Sequence, residues 1–496
     1  MQRAIVIGAG VGGMAAAIRL AVSGFDVVVY ESNPEPGGKL THFTQQGFQF
    51  DAGPSLFTQP HILEELFVLA GERMSDYLQY DSVPYACHYF YEDGTDIRAS
   101  ADPVLLAAEL EAKTGEPPEH VQRYLKESAQ LYQTVGTIFL DHSLHKPATF
   151  SKVPWLKLAG TLRRSHLFGT MHERNARSFR SEKIVQLFNR FATYNGSTPY
   201  RAPGMLTLIP HLEHNEGVFY PHGGMISITR ALYQLAIRKG VQFCFNQPVS
   251  RIIHTRNGVE GVVVNGVNQP AHVVVSNADA YFTYKHLLQD ERKAQKIGRQ
   301  ERSSSAMVFY WGIGKEFPQL DLHNIFFAKD YAAEFDHLFR LKKIYQDPTV
   351  YVNITSKCEP GIQAPAGMEN WFVMVNAPAV TNQDWESYRA IYRRAILDKL
   401  SRLLGQSIEP LIRTEAVLDP LAIAAKTSSF RGALYGTSSN SKLAAFLRHP
   451  NFAAQIPGLY FVGGTVHPGG GIPLCLRSAA IAAGMIIQQK GRRKHA

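Results

Sequence analysis

The feature that most constrains this chain is a short apolar strand, Ala4-Ile5-Val6-Ile7, that runs directly into Gly8-Ala9-Gly10-Val11-Gly12-Gly13. Many glycine-rich turns match such a spacing, so its surroundings decide what it means. Here a helix carrying apolar Met14, Ile18 and Leu20 follows, then a second strand, Val27-Val28-Val29-Tyr30, and then the acid Glu31. In that context Gly8 permits the tight turn, Gly10 lets backbone amides approach a pyrophosphate at a helix N-terminus, and Gly13 lets helix and strand pack closely. Glu31 stands where an acid binds a ribose hydroxyl. It repels a 2′-phosphate, and Ser32 brings no cation to offset it, so a phosphorylated nicotinamide cofactor is disfavoured. The run from Gly8 to Gly13, with Ala9, Val11 and Gly12 between the fingerprint glycines, and Glu31 with Ser32 are therefore read as a dinucleotide site in a Rossmann-like α/β domain.

A second glycine-rich loop lies far along the chain: Gly463-Gly464-Thr465-Val466-His467-Pro468-Gly469-Gly470-Gly471-Ile472-Pro473. The two loops make sense together as opposite walls of one site. Gly37-Gly38-Lys39 and Asp51-Ala52-Gly53-Pro54 mark further places where backbone passes close to a neighbouring segment or a bound ring.

A chain of 496 residues with 45% hydrophobic and 19% charged content buries a substantial core, and two domains are expected. Cys87, Cys244, Cys358 and Cys475 are scattered without CxxC spacing, which indicates neither a zinc site nor a disulfide framework and fits a reducing cytoplasm. Arg3 before small apolar residues imitates a secretion signal, but cleavage there would destroy the glycine fingerprint, so the start is read as mature protein. No uninterrupted apolar run reaches the roughly 20 residues that span a bilayer as a helix, so membrane contact is expected to be peripheral.

The net charge of +9 is modest for this length, but it clusters. Between Lys146 and Arg180, the bases Lys146, Lys152, Lys157, Arg163, Arg164, Arg174, Arg177 and Arg180 face the single acid Glu173. Phe150, Val153, Trp155, Leu156, Leu158, Leu162, Leu167 and Phe168 interleave with them. That is the composition of a segment lying in a lipid interface, and equally of a helical subdomain with a basic outer face. No nucleic-acid-binding module accompanies the charge, so nucleic acid is not expected as a partner.

Further along, Asp102-Pro103 caps a helix through Leu110, and Pro117-Pro118-Glu119 introduces a longer one through Leu140. Residues after 75 thus read as an inserted helical portion. Sheet character returns at Gly217: Gly223-Gly224 precedes a helix from Ile226 to Arg238, strands follow around 241–245 and 250–255, and Asn257-Gly258 signals a hairpin. Strands over 306–311 and 371–375 mix with an amphipathic helix over 388–404, whose core face is read as Ile391, Tyr392, Leu397, Leu400 and Leu404. The nucleotide-binding domain is expected from residues 1–75, 217–290 and 440–496, with 76–216 and 291–439 forming the other domain.

These residues together carry a resemblance. Over nearly its whole length the chain resembles the bacterial phytoene, or carotenoid, desaturase family of FAD enzymes. The resemblance rests on Gly8-x-Gly10-x-x-Gly13, Glu31, Gly37-Gly38-Lys39, Phe50-Asp51-Ala52-Gly53-Pro54, Phe219-Tyr220-Pro221-His222-Gly223-Gly224, Ser276-Asn277-Ala278-Asp279 and His467-Pro468-Gly469-Gly470-Gly471-Ile472-Pro473. The Gly463-Gly464-Thr465-Val466 run departs from the family's usual small-residue run and is similar to the branch that introduces a 3,4 double bond into hydroxylated or monocyclic carotenoids. The resemblance implies an FAD-binding domain of the glutathione-reductase and amine-oxidase type, with an inserted α+β substrate domain. It implies Gly8, Gly10 and Gly13 at the pyrophosphate, Glu31 at the adenosine ribose and Gly38-Lys39 at the middle of the FAD, with Gly53-Pro54 close by. Val249 would offer backbone to the adenine, Gly464 and Thr465 would lie near the phosphate and ribityl chain, and Gly471-Ile472 beside the isoalloxazine.

Desaturation removes a hydride from an allylic carbon and a proton from its neighbour. The flavin accepts the hydride at N5, so the protein is expected to position the polyene and exclude water rather than to supply a catalytic triad. His467 is the candidate for proton handling, because it lies in the loop beside the flavin and titrates near neutral pH; a loop histidine bonded to backbone is the alternative. Arg190, His211, His214 and His222 are candidates to line the substrate portal or bond a terminal hydroxyl, with surface placement the plainer expectation. A carotenoid is about as long as the roughly 30 Å hydrocarbon layer, so peripheral docking on the cytoplasmic membrane through residues 146–180 is expected, with oxygen or a quinone as electron acceptor. The alternatives are an amine or porphyrinogen oxidase of the same superfamily, a carotenoid isomerase, and a non-catalytic lipid-binding or escort protein.

Overall fold

Gln2–Ile7 lies at the centre of a five-stranded parallel sheet, in the order Leu459–Phe461, Val273–Ser276, Gln2–Ile7, Phe25–Tyr30, Gln242–Cys244. The computed structural model that shows this describes residues 1–146, 149, 169–441 and 448–494. The strands are near-continuous apolar runs because both faces of a parallel sheet are covered. On one face Ala15, Ala16 and Ala17 of the helix Val11–Val22 share a core with Ala479, Ala482 and Ala483 of the helix Ile472–Lys494, small side chains that let backbones approach closely. On the other, Ile5, Ile7 and Val28 pack against Ile252 and Val262 of a three-stranded antiparallel sheet built from Val249–Thr255, Gly258–Val264 and Val267–Pro270. Asn257-Gly258 turns its first hairpin, as the spacing predicts.

The helix Ile472–Lys494 contains a stretch, Ile472–Gly491, long and apolar enough to cross a membrane. Counting uninterrupted apolar runs missed it because Arg477 breaks the run. Half of the stretch is buried, and Arg477 pairs with Glu65 at 2.7 Å, so it serves as a core helix of this layer.

A seven-stranded sheet lies beside the first, with Ser305–Ile313 and Glu369–Ala377 paired over their full lengths near its middle. The strand period of two divides its faces. Phe309, Trp311, Val373 and Val375 pack against the helix Trp385–Leu403, while Val308, Tyr310, Phe372 and Met374 face a cavity. The helix uses Trp385, Tyr392, Ile396, Leu397 and Leu400 for that contact. Ile391, expected on the core face, is 43% exposed, since it lies on the opposite side from the 385, 392, 396, 400 row.

The residues after 75 are not purely helical. Tyr85–Phe90 and Asp96–Ser100 form a hairpin that joins the seven-stranded sheet at its edge, turned by Asp93-Gly94, a signal visible in the sequence. Asp102 caps the helix Pro103–Thr114 as expected, accepting from the amides of Val104 and Leu105. The helix beginning at Pro118 runs to Leu131 and continues as a π turn over Tyr132–Gly136 and a last helical turn, Thr137–Asp141.

Most of the basic, apolar segment expected to dock on lipid, including Lys152, Trp155, Lys157, Arg163 and Arg164, lies outside the described residues. In its described flank, Arg174 does not belong to an outer basic face: it is buried and paired with Glu127.

Candidate active site

The C-terminal ends of the parallel strands and the apolar face of the seven-stranded sheet border one cavity of about 940 Å³. Gly8, Gly10, Val11, Gly12, Glu31, Ser32, Gly38, Lys39, Gly53, Pro54, Val249, Gly464, Thr465, His467, Gly471 and Ile472 all line it. Ala9 and Gly13 stand behind the wall. The Ala9 amide donates to Glu31 Oε2 at 2.7 Å, and a Cβ on Gly13 would meet the Gly8 carbonyl at 2.1 Å.

The glycine end fits a dinucleotide. Gly10 caps the helix Val11–Val22 with no side-chain bond, and the first turn holds no acid, which leaves its amides for an anionic group. Asn277, quoted in a motif but given no role by sequence reasoning, organises this cradle. A Cβ on Gly10 would stand 2.6 Å from its Oδ1, and one on Gly463 2.5 Å from its Nδ2, so both loops close against one side chain. Asn277 Nδ2 donates to the Val462 carbonyl at 3.2 Å. Buried Glu31 holds its position through the amide of Asn33 at 2.9 Å and that of Ala9. The cradle therefore fits the adenosine pyrophosphate of FAD.

Toward the middle, Lys39 Nζ donates to the Leu434 carbonyl at 2.8 Å, and burial lowers its pKa against the opposing pull of Asp279 and Cys475. Thr465 Oγ1 accepts from the Ala280 amide at 3.2 Å. Arg448 is a buried cation with no carboxylate partner among the described residues; it donates to the Tyr435 carbonyl at 2.7 Å, and burial lowers its pKa to about 10.

His467 lines the cavity, but its expected titration near neutral pH is corrected. The ring Nε2 is bonded to the His142 carbonyl at 2.9 Å, and burial lowers its pKa to about 4. It is a neutral imidazole tied to backbone at pH 7. The loop itself is pinned by Asn451 Nδ2, which donates to the His467 carbonyl at 2.8 Å.

Beyond the flavin loops the wall turns apolar. Tyr132, Val135 and Gly136 from the π turn face the cavity together with Leu206, Leu208 and Leu212. Among the polar candidates, only Arg190 lines this space, and it is buried rather than on the surface. Its Nη2 bonds Glu213 Oε2 at 2.5 Å and its Nε bonds Tyr89 Oη at 2.8 Å. His211 pairs with Glu216 at 3.2 Å, His214 is buried among Phe188 and Phe191, and exposed His222 bonds Asp81 at 2.7 Å. His323, Tyr351 and Ser55, which sequence reasoning did not single out, line the same wall.

A model of the flavin-containing amine oxidoreductase family matches residues 11–487. The chain belongs to that family. As a member of it the chain is an FAD-dependent oxidoreductase, in keeping with the cradle. It is 47% identical over 486 residues to the 1-hydroxycarotenoid 3,4-desaturase of Flavobacterium sp. (strain P99-3), covering 98% of this chain and 99% of the relative. It is 34% identical over 494 residues to the 4,4'-diapolycopene oxygenase of Methylomonas sp, covering 98% of each. Among solved structures, putrescine oxidase bound to putrescine matches with a TM-score of 0.64 at 15% identity, covering 98% of this chain and 99% of that one. Cyclohexylamine oxidase from Brevibacterium oxydans IH-35A matches with a TM-score of 0.60 at 18% identity over 99% of both chains. These two likenesses establish the Rossmann-type flavoprotein fold with its companion α+β part.

Proposed function

We propose that this flavin-containing amine oxidoreductase is a desaturase of long polyenes, and that it introduces the 3,4 double bond of a 1-hydroxylated carotenoid. The observation that carries the reading is the cavity: a largely apolar, aromatic chamber continuous with the dinucleotide cradle, which would hold a hydrocarbon chain beside a bound FAD. The 47% identity to a 1-hydroxycarotenoid 3,4-desaturase over nearly the full length of both chains supports it. An amine substrate is disfavoured because Glu213, the buried carboxylate of the apolar wall, is already neutralised by Arg190.

When bound, FAD supplies a two-electron acceptor for the hydride released as a C–C single bond becomes double. The protein's residues bind and align. The glycine loops hold the dinucleotide, Tyr310, Phe372 and Met374 give the polyene an apolar floor, and the π turn at Tyr132–Gly136 closes one side. The proton lost from the neighbouring carbon passes to water at the cavity mouth rather than to His467, whose low pKa makes it a weak base and whose Nε2 is bonded to the His142 carbonyl. Oxygen or a quinone would serve as the final electron acceptor. A substrate about 30 Å long resides in the bilayer, so the protein acts as a peripheral enzyme at the cytoplasmic membrane surface, to which its net charge of +9 draws it.

The test is the product formed when FAD-loaded protein turns over a hydroxylated polyene in liposomes. A product lighter by two hydrogens and shifted to the red is expected. An added oxygen atom would favour the second reading, raised by the 34% identity to an oxygenase, and turnover of amines with no polyene consumed would overturn both.

A further inference from the structure

We propose that His323 recognises the terminal hydroxyl of the substrate by donating a hydrogen bond from Nε2 to its oxygen; this rests on the polyene reading above and assigns the residue that sets its preference. His323 opens the strand His323–Phe326 and lies opposite Asn353 in the neighbouring strand Val350–Ile354. Its Nδ1 is 2.8 Å from Tyr351 Oη and 3.2 Å from Asn353 Nδ2. The Asn353 amide is oriented by its own bond to the Leu322 carbonyl at 3.0 Å, so the nitrogen that faces His323 has only protons to give. Nδ1 is therefore the acceptor, Tyr351 also donates to it, and Ser55 Oγ, 2.8 Å from Tyr351 Oη, donates in turn to the tyrosine oxygen.

A neutral imidazole that accepts at Nδ1 carries its proton on Nε2. Burial beside the Arg190 cation keeps the ring neutral. Nε2 is buried and has no partner among the described residues, and His323, only 2% exposed, is part of the cavity wall. The chain Ser55, Tyr351, His323 is thus a polarised relay that ends in an unanswered N–H on a residue of the cavity wall. A buried donor without an acceptor is unfavourable, so the wall favours an occupant that brings an oxygen there.

The other polar groups of the wall are differently placed. Arg190 is bonded to Glu213 and Tyr89. Tyr310 Oη is also unpartnered, but its ring sits against Phe43, Phe50 and Phe372 at 5.0, 5.7 and 5.6 Å, and its hydroxyl, unlike the His323 ring, has no neighbouring donor to polarise it. A neutral donor suits a neutral acceptor such as an alcohol oxygen, whereas an ammonium group offers no lone pair.

The test compares kcat/KM of FAD-loaded wild type, His323→Phe and His323→Gln on two liposome-borne polyenes that differ only in the terminal hydroxyl. Wild type is expected to prefer the hydroxylated polyene. His323→Phe is expected to lose roughly 5- to 150-fold on that substrate, mainly through KM, with the other substrate unchanged. His323→Gln, which retains an N–H, is expected to recover part of the preference. Bound FAD and melting temperature report folding, and Tyr351→Phe, which weakens the relay without removing the donor, gives an independent variant with a smaller loss of the same sign. Equal loss on both polyenes, or none on either, overturns the assignment while leaving desaturation standing; a wild type that turns over neither polyene removes both.

Discussion

Adding one methyl group to the cradle tests how it is built, because the nearest obstacle differs between two glycines of the fingerprint. A Cβ on Gly13 would stand 2.1 Å from the backbone carbonyl of Gly8, and the strand and helix would have to part by about 1 Å to restore the usual carbon–oxygen contact of roughly 3.3 Å. A Cβ on Gly10 would stand 2.6 Å from Oδ1 of Asn277, a side chain that can turn away at the expense of its 3.2 Å bond to the Val462 carbonyl. Overpacking of this kind costs about 1–3 kcal/mol. Both alanine variants are thus expected to weaken FAD by roughly 5- to 150-fold, at about 1.4 kcal/mol per tenfold. The distinction lies in rescue. Asn277→Ala removes the obstacle for Gly10→Ala, so that pair should show a coupling energy of about 1 kcal/mol or more, whereas a Cβ on Gly13 meets Asn277 Oδ1 only at 3.1 Å and the Gly8 carbonyl remains in its way, so Gly13→Ala should recover clearly less from Asn277→Ala. Titration of the apoprotein with FAD, followed by quenching of flavin fluorescence, measures all six affinities, wild type included. Rescue of Gly13→Ala as large as that of Gly10→Ala, or no rescue of Gly10→Ala, would refute the packing argument.

Three further outcomes are expected. Burial lowers the pKa of His214 and His323 to about 3 and of His449 and His467 to about 4. The unfolded chain takes up these protons near pH 6.5 and the folded one does not, so stability is full above that pH and falls as the pH drops toward 4, by at most about 3 kcal/mol for His467 alone; melting temperatures across this window check it. His467→Gln, able to donate to the His142 carbonyl, should keep its FAD and turn over within about threefold of wild type, and a loss of a hundredfold or more would restore the histidine to proton transfer. Arg190→Met leaves Glu213 buried without its partner and should cost about 3–5 kcal/mol in urea unfolding, most of it regained when Glu213→Leu is added.

Much of the nucleotide-binding layer was legible because its determinants are local. The apolar run Ala4 to Ile7 stands next to the glycine that ends it, and Asn257-Gly258 carries its own turn chemistry, as Asp102-Pro103 carries its own cap in the other domain. Asp93-Gly94 carried the same kind of signal, overlooked because helical spacing dominated its neighbourhood. Ile391 was placed on the wrong face because a helix of this length holds more apolar residues than one stripe accommodates, and only the sheet it packs on selects among them. The cavity wall was illegible for a different reason. His323, Tyr351 and Ser55 come from three strands or loops, and no spacing reports their meeting. The burial that keeps His467 neutral, and its bond to the carbonyl of His142, 325 residues away in the chain, likewise exist only in the assembled fold. Asn277 lay within a quoted motif, yet its contact with both glycine loops exists only once the sheet has assembled.

The most direct measurement of the central claim is an anaerobic visible spectrum of the FAD-loaded protein mixed with liposomes carrying a hydroxylated polyene. The expected result is bleaching of the flavin band together with a red shift of the polyene, at one equivalent of each, because hydride leaves the carbon chain for the cofactor when no other acceptor is present. A flavin that stays oxidised in the presence of every polyene offered, hydroxylated or not, would contradict desaturation as the activity of this fold.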